Sequence, residues 1–547
     1  MGAVVAGFLA RMPVLVLLAG LVAVMMLGPA AYASVTGYDA IARNFLYAAL
    51  LTGIFCGLIG LAAQANPRSQ RSREMLLLML GVYGLLPMLL AVPFAESQPD
   101  TGYFNAWWEM VSSLTTTGAS LYSADLLPMP LHLWRSMVGW MGGFFVLVAA
   151  VAILAPLRVG GFEIMSNPYG REEYRQHLPP SDSPRRPVLH LSDPRFEAQL
   201  ADPASRLGRA ALQIGPLYAG ATLILWVGLL MLGDPSFIAL TRAMGTLSTS
   251  GISPVLGSAG VASGIAGEML VFLFLIPALS RRFWPGGSEL RATDRLIADP
   301  ELRMAAGLVA LVAVLLFLRH FLGAIETDRA APADTTTMAD IGRALSALWG
   351  GLFSALSYLT TTGWTSVAWA DARAWSGLDA PGLILAGLAL MGGGVATTAG
   401  GVKLLRVYAL ARHGQRELER IIHPHSVSGG GRIARRLRRE GAYLAFIFFM
   451  LFAVSIALVV TLVSIHAIAF ETATILSIAA LTNAGPLASA IPLTPTFEGT
   501  AGIASAPWEG WSGLPDFTKA VLACAMVLGR IETLAVLALF SPDFWRR

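Results

Sequence analysis

Long apolar runs alternate with short polar connections along the chain, and the length of each run limits what it can be. About twenty apolar residues suit an α-helix that crosses a bilayer. Ten runs of that kind occur, at 12–33, 45–63, 75–95, 134–155, 209–233, 260–280, 304–323, 381–406 (interrupted), 441–466 and 517–540. Shorter amphipathic stretches at 104–113, 236–246, 344–358 and 469–480 lie between the third and fourth runs, the fifth and sixth, the seventh and eighth, and the ninth and tenth. Each short stretch leads into leucine, a hydroxyl-rich or amide-containing tripeptide, and glycine. The four copies are Leu114-Thr115-Thr116-Thr117-Gly118, Leu247-Ser248-Thr249-Ser250-Gly251, Leu359-Thr360-Thr361-Thr362-Gly363 and Leu481-Thr482-Asn483-Ala484-Gly485.

A re-entrant helix followed by extended backbone persists at membrane depth only where protein buries it or water reaches it. Four such loops in phase predict a pore, in which rings of carbonyl oxygens replace the water around a cation. Each short helix also turns its partly negative C-terminal end toward the centre. Helix capping in external loops accounts for one copy of the motif, not for four in phase. The predicted fold is an all-α polytopic membrane protein. A two-helix N-terminal hairpin precedes four repeats of outer span M1, pore helix P and inner span M2, set pseudo-fourfold around one pore. The expected divisions are 1–73 for the hairpin, 74–160 for repeat one, 161–207 for a cytoplasmic loop, 208–282 for repeat two, 303–410 for repeat three, 411–439 for a basic loop and 440–547 for repeat four.

Composition agrees with this class, at 55% hydrophobic and 13% charged residues with a mean hydropathy of +0.64. An ordinary soluble domain is excluded. The net charge of +4 does not point to nucleic acid, because the basic residues are spread over short loops. Arg68, Arg71 and Arg73, the stretch 158–209, then Arg281, Arg282, Arg291 and Arg295, and finally 412–439 all fall on one side if ten spans alternate. That side is cytoplasmic by the charge rule, which places both termini there and the four filter loops outside. Arg11, an apolar run and Ala31-Tyr32-Ala33 resemble a signal peptide; the length of the run and the span that follows favour a retained helix. Cys56 and Cys524 sit in apolar segments and read as small buried hydrophobes. His423-Pro424-His425 lacks further ligands, so no structural metal is predicted. The arginine-rich stretch 432–440 suits lipid head groups or a partner protein.

Two intramembrane features stand out. The eighth run contains Met391-Gly392-Gly393-Gly394-Val395-Ala396-Thr397-Thr398-Ala399-Gly400-Gly401-Val402-Lys403, with five glycines in the eleven positions 391–401. Such a stretch does not hold a continuous helix, so a break in mid-membrane is predicted. The functional reading is a gate, and the structural alternative is close packing of helices through small residues. Arg530 lies too deep in the tenth run to snorkel and is expected to face the pore, hydrogen-bonding carbonyls of the broken segment. A structural pair with a carboxylate such as Glu268 is the alternative. Glu532, two residues on, points to another face.

The four motifs resemble the filters of the Trk/Ktr/HKT superfamily of potassium transporters, and the chain is most similar to the bacterial TrkH branch over essentially its whole length. Asn483-Ala484-Gly485-Pro486 resembles the family's Asn-x-Gly-Pro pattern, although Leu487 stands where the family usually has a second glycine. The resemblance implies that carbonyls of Thr116, Thr117, Gly118, Thr249, Ser250, Gly251, Thr361, Thr362, Gly363, Asn483, Ala484 and Gly485 coordinate K+. Gly118 implies potassium preference, since serine at that position goes with sodium permeation in plant relatives. The gate is then formed by Gly392, Gly393, Gly394, Thr397, Thr398, Gly400, Gly401, Lys403 and Arg530. What the resemblance implies is a potassium uptake channel or transporter of the bacterial inner membrane. K+ is its transported ion, no cofactor is bound, a cytosolic TrkA-like nucleotide-binding subunit regulates it, and two copies form a homodimer. Two alternatives stay open. One is symport driven by Na+ or H+. The other is a membrane-embedded transferase, which needs converging carboxylates, whereas Glu109, Glu268, Glu471 and Glu532 are scattered over separate units.

Overall fold

The computed structural model describes residues 12–64, 72–157, 161–162, 203–255, 261–285, 296, 299–328, 337–369, 382–423, 439–466, 468–491 and 510–532. Most of the 158–209 loop, Arg11, Arg68, Arg71, Arg291, Arg295, His425, residues 432–438 and the end of the tenth run lie outside them. Among the described residues the structure is helical and contains no strand. Helices α1 (Val14–Val35) and α2 (Asp39–Gln64) form the N-terminal hairpin. Unit one follows as α3 (Ser72–Ser97), α4 (Gly102–Leu114) and α5 (Met129–Ala149). Unit two is α6 (Pro203–Met231), α7 (Ser236–Leu247) and α8 (Gly264–Leu275). Unit three is α9 (Pro300–Asp328), α10 (Thr337–Leu359) and an inner span split into α11 (Gly382–Met391) and α12 (Leu404–Ile422). Unit four is α13 (Arg439–Ser464), α14 (Phe470–Leu481), the short α15 (Leu487–Ala490) and α16 (Asp516–Ile531).

Among the described residues, six helices are long and apolar enough to cross a membrane. Their outward faces carry large apolar side chains, as on α2 with Leu50, Leu51, Ile54 and Leu58. A continuous surface of that kind suits lipid rather than water. The inward faces interlock, with Val22 and Met26 of α1 and Phe45 of α2 buried and Phe45 edge-on to Trp134 of α5. Of the two cysteines, Cys56 is buried as expected, whereas Cys524 lies on the exposed face of α16. Each pore helix packs on the inner helix of the preceding unit: α7 on α5, α10 on α8, α14 on α11, and α4 on α16. The last of these contacts joins unit four to unit one and closes the circle.

The inner spans depart from the even lengths read in the sequence. The expected span 260–280 is an α-helix only over Gly264–Leu275 and then tightens into a 3-10 turn at Ile276–Ala278. Pro277 has no N–H for the α-ladder, which ends there. The third pore helix is longer than the stretch 344–358, beginning at Thr337. In unit one the inner helix starts at Met129 and passes through a π-helical turn at Ala150–Leu154, a local feature with no sequence signal as plain as a proline.

Candidate functional site: a four-loop ring above a broken helix

All four pore helices end in the same way. After the last helical leucine comes a hydroxyl residue, Thr115, Ser248, Thr360 or Thr482, whose side chain bonds the carbonyl four residues back at 2.7–3.0 Å. The next residue is left-handed, with φ of 56° at Thr116, 52° at Thr249, 57° at Thr361 and 55° at Asn483. Its N–H reaches back three residues and the following N–H five residues, as in Thr116 to Ser113 and Thr117 to Ser112, both at 2.9 Å. That pair of bonds defines a Schellman cap, a site where glycine is the usual left-handed residue. Threonine occupies it three times, at roughly 1–2 kcal/mol of strain each. The hydroxyl-rich tripeptide now has a structural reason. Its first and third side chains face each other behind the loop, at 2.8 Å for Thr115 and Thr117, 2.8 Å for Ser248 and Ser250, and 3.0 Å for Thr360 and Thr362.

The motif glycines close a ring. A β-carbon at Gly118 would overlap the Ser250 carbonyl oxygen, one at Gly251 the Thr362 carbonyl oxygen, one at Gly363 the ring of Pro486, and one at Gly485 the backbone of Ala119. Loop one thus presses on two, two on three, three on four, and four on one. Gly118, Gly251 and Gly363 have φ of 74°, 61° and 80°. Gly485 differs from the other three motif glycines, because its φ is not positive. Its N–H donates to the Thr117 carbonyl at 2.7 Å, whereas the other three glycines turn theirs back to their own pore helices. Asn483 Nδ2 strengthens the same seam by donating to Thr117 Oγ1 at 3.0 Å and to the Met526 carbonyl at 2.9 Å. The predicted filter residues are therefore brought together, in a ring that is only pseudo-fourfold.

Beneath the ring the third inner span is broken as the glycines predict. Residues 392–403 are non-helical between α11 and α12, with left-handed backbone at Gly392, Ala396, Gly401 and Lys403. The segment is pinned on several sides. Gly400 N–H donates to Thr361 Oγ1 at 2.8 Å, Gly394 N–H to the Ala278 carbonyl at 3.0 Å, and Val395 N–H to Glu301 Oε1 at 2.9 Å. Glu301 belongs to the first turn of α9 and carries no signal in the sequence beyond being an acid at a span end.

Arg530 is buried beside this segment and lines a cavity of about 30 Å³ with Ala396, Thr397, Gly400, Lys403 and, across from it, Ala150 and Leu154 of the π turn. That volume has room for one or two waters. The expected hydrogen bonds from Arg530 to carbonyls of the segment are not formed; Nε and Nη2 have no hydrogen-bond partner, and the neighbours acting on its charge are Tyr83 and Tyr218. Lys403 takes that place, its Nζ donating to the Ala399 carbonyl. Tyr83 and Tyr218 belong to the outer helices of units one and two, α3 and α6. Glu268 is not the partner of Arg530 either, since that carboxylate is occupied by Trp349, Ser366 and Val367. Glu532 turns away to Arg406 at 2.7 Å, and the Arg406 guanidinium lies over the Phe448 ring at 3.5 Å.

A sequence model of the TrkH family, described as cation transport protein, matches residues 269–547. The chain belongs to the TrkH family. Its relatives include the Trk system potassium uptake protein TrkH of Halomonas elongata, 29% identical over 86% of this chain and 84% of that one. The protein of the same name from Escherichia coli K12 is 27% identical over 87% of this chain and 86% of that one. In fold the chain is similar to the crystal structure of the potassium transporter TrkH from Vibrio parahaemolyticus, with a TM-score of 0.71 at 22% identity, covering 98% of this chain and all of that one. Membership places the chain among transport proteins and not among enzymes. In keeping with that, the membrane-level acids do not converge: Glu109 pairs with Arg135 at 2.5 Å, Glu268 with unit three, Glu532 with Arg406, and Glu471 is exposed on α14.

Proposed function

We propose that this chain takes up potassium across the bacterial inner membrane, passing dehydrated K+ through the ring formed by residues 116–118, 249–251, 361–363 and 483–485. The observation that carries the reading is the fourfold recurrence of one backbone device, a left-handed cap followed by a glycine seated on the next loop. Loops held in that way can present their carbonyls to a shared axis, and carbonyl rings suit an alkali cation better than a divalent one, which carboxylates would serve. The named potassium uptake function of the relatives supports the same ion.

The segment 392–401 with Lys403 and Arg530 is the gate on this reading. It fills the space below the ring, leaving a cavity of about 30 Å³ lined by the cationic Lys403 and Arg530 and by Glu532, whose carboxylate is paired with Arg406. A cytosolic nucleotide-binding subunit of the TrkA kind moves the segment aside, and two copies of the chain assemble with their termini in the cytoplasm. The test is ion flux in liposomes holding the purified chain, with potassium, rubidium and sodium compared. Potassium and rubidium are expected to pass and sodium to be held back; equal passage of all three would overturn the assignment.

A further inference from the structure

Glu268 lies outside every motif of the ring and is 1% exposed on α8, the inner helix of unit two. Its carboxylate accepts three hydrogen bonds, all from unit three: Trp349 Nε1 at 2.8 Å, Ser366 Oγ at 2.7 Å, and the Val367 N–H. Trp349 belongs to pore helix α10, while Ser366 and Val367 stand on the limb that rises from Gly363. One buried carboxylate therefore joins the helix that enters the third loop to the limb that leaves it, and fastens both to the neighbouring unit.

No Lys or Arg forms an ion pair with Glu268 among the described residues, and the nearby Arg242 guanidinium is engaged by Asp234 at 3.2 Å and Ser263 Oγ at 3.1 Å. A buried carboxylate held by three donors is a strong and directional fastening, because hydrogen bonds to an ionised acceptor are shorter and stronger than neutral ones. The position is also one where the ring needs it. Loop one has a related fastening of its own, in which Glu109 accepts from Leu121 N–H at 3.0 Å and pairs with Arg135. Among the described residues, loop three has no acid of its own in that role and borrows one from unit two. Gly251 of loop two in turn rests on the Thr362 carbonyl, so a shift of loop three is passed to its neighbour.

We infer that Glu268 is a positioning residue for ion selectivity: it holds the rising limb of the third loop, and through it the Thr362 and Gly363 carbonyls, at the spacing that favours the larger alkali cation. This rests on the filter reading proposed above. A site of this kind works only while its supporting groups keep it within about half an ångström of the productive geometry.

The experiment compares Glu268→Gln, Ser366→Ala and the control Glu471→Gln with the unaltered chain in liposomes, reading the ratio of potassium to sodium flux and the melting of the purified protein. Glutamine keeps the volume of the acid, yet places an NH2 among three donors, so the limb must move to relieve the clash. The ratio is expected to fall about tenfold in Glu268→Gln, the equivalent of about 1.4 kcal/mol, and severalfold in Ser366→Ala, with Glu471→Gln unchanged. A folded Glu268→Gln with an unaltered ratio overturns the inference and leaves the proposed function standing. If Glu268→Gln does not fold, Ser366→Ala decides: it removes one of the three bonds and leaves the acid in place, and an unaltered ratio in that variant overturns the inference. An unaltered chain that does not discriminate at all overturns the filter reading instead.

Discussion

Arg530 holds a positive charge in a span where no carboxylate pairs with it among the described residues. A charge at that depth is costly to keep, and a side chain retained there against that cost is a functional hypothesis by default. On the gate reading proposed above, removing it lowers the barrier that a cation meets under the ring, because Coulomb terms are weakly screened where the effective dielectric is low. Arg530→Ala and Arg530→Gln are therefore expected to conduct severalfold more than the unaltered chain in liposomes without any regulator, and Arg530→Lys to stay nearer to it. Folded Ala and Gln variants that conduct no more than the original would make Arg530 a structural anchor. The depth of this residue is legible in the sequence, since position in an apolar run suffices to bury it. Its neighbours are not legible. Tyr83 and Tyr218 come from outer helices of two other units, and separations of several hundred residues leave no trace in local pattern.

Among the elements, the pore helices are legible in place and period, while their ends are legible only in part. Glycine marks the left-handed position in three loops, as its freedom from a β-carbon requires. The second left-handed position, two residues earlier, is hidden because threonine is a poor candidate for it; only Asn483 hints at it, asparagine being more tolerant of that region. The break in the inner span of unit three is legible in its glycines, and the structure adds what fastens it, from Thr361 above to Glu301 and Ala278 on the sides. On the reading proposed above, those fastenings hold the segment in place as the gate. Deleting Gly393 to Thr397 removes the bonds to Ala278 and Glu301 and empties the space below the ring, so basal flux is expected to rise severalfold and regulation to weaken. A folded deletion that conducts less than the original would favour helix packing as the role of the glycines.

At the scale of the molecule, four units make one ring because each glycine is seated on the next loop and each pore helix on the inner helix of the unit before it. The repeat count and the pseudo-fourfold plan are legible from four motifs in phase. The asymmetry is not, because Gly485 keeps its identity while changing its hydrogen bond, from its own helix to the Thr117 carbonyl. The most direct test of the account is the potassium-to-sodium flux ratio of Gly118→Ser against the unaltered chain in liposomes. Gly118 is left-handed, and a side chain there would press on the Ser250 carbonyl, a member of the ring. The variant is expected to fold and its ratio to drop toward unity as sodium is admitted; a folded Gly118→Ser that keeps the original ratio would overturn the filter assignment.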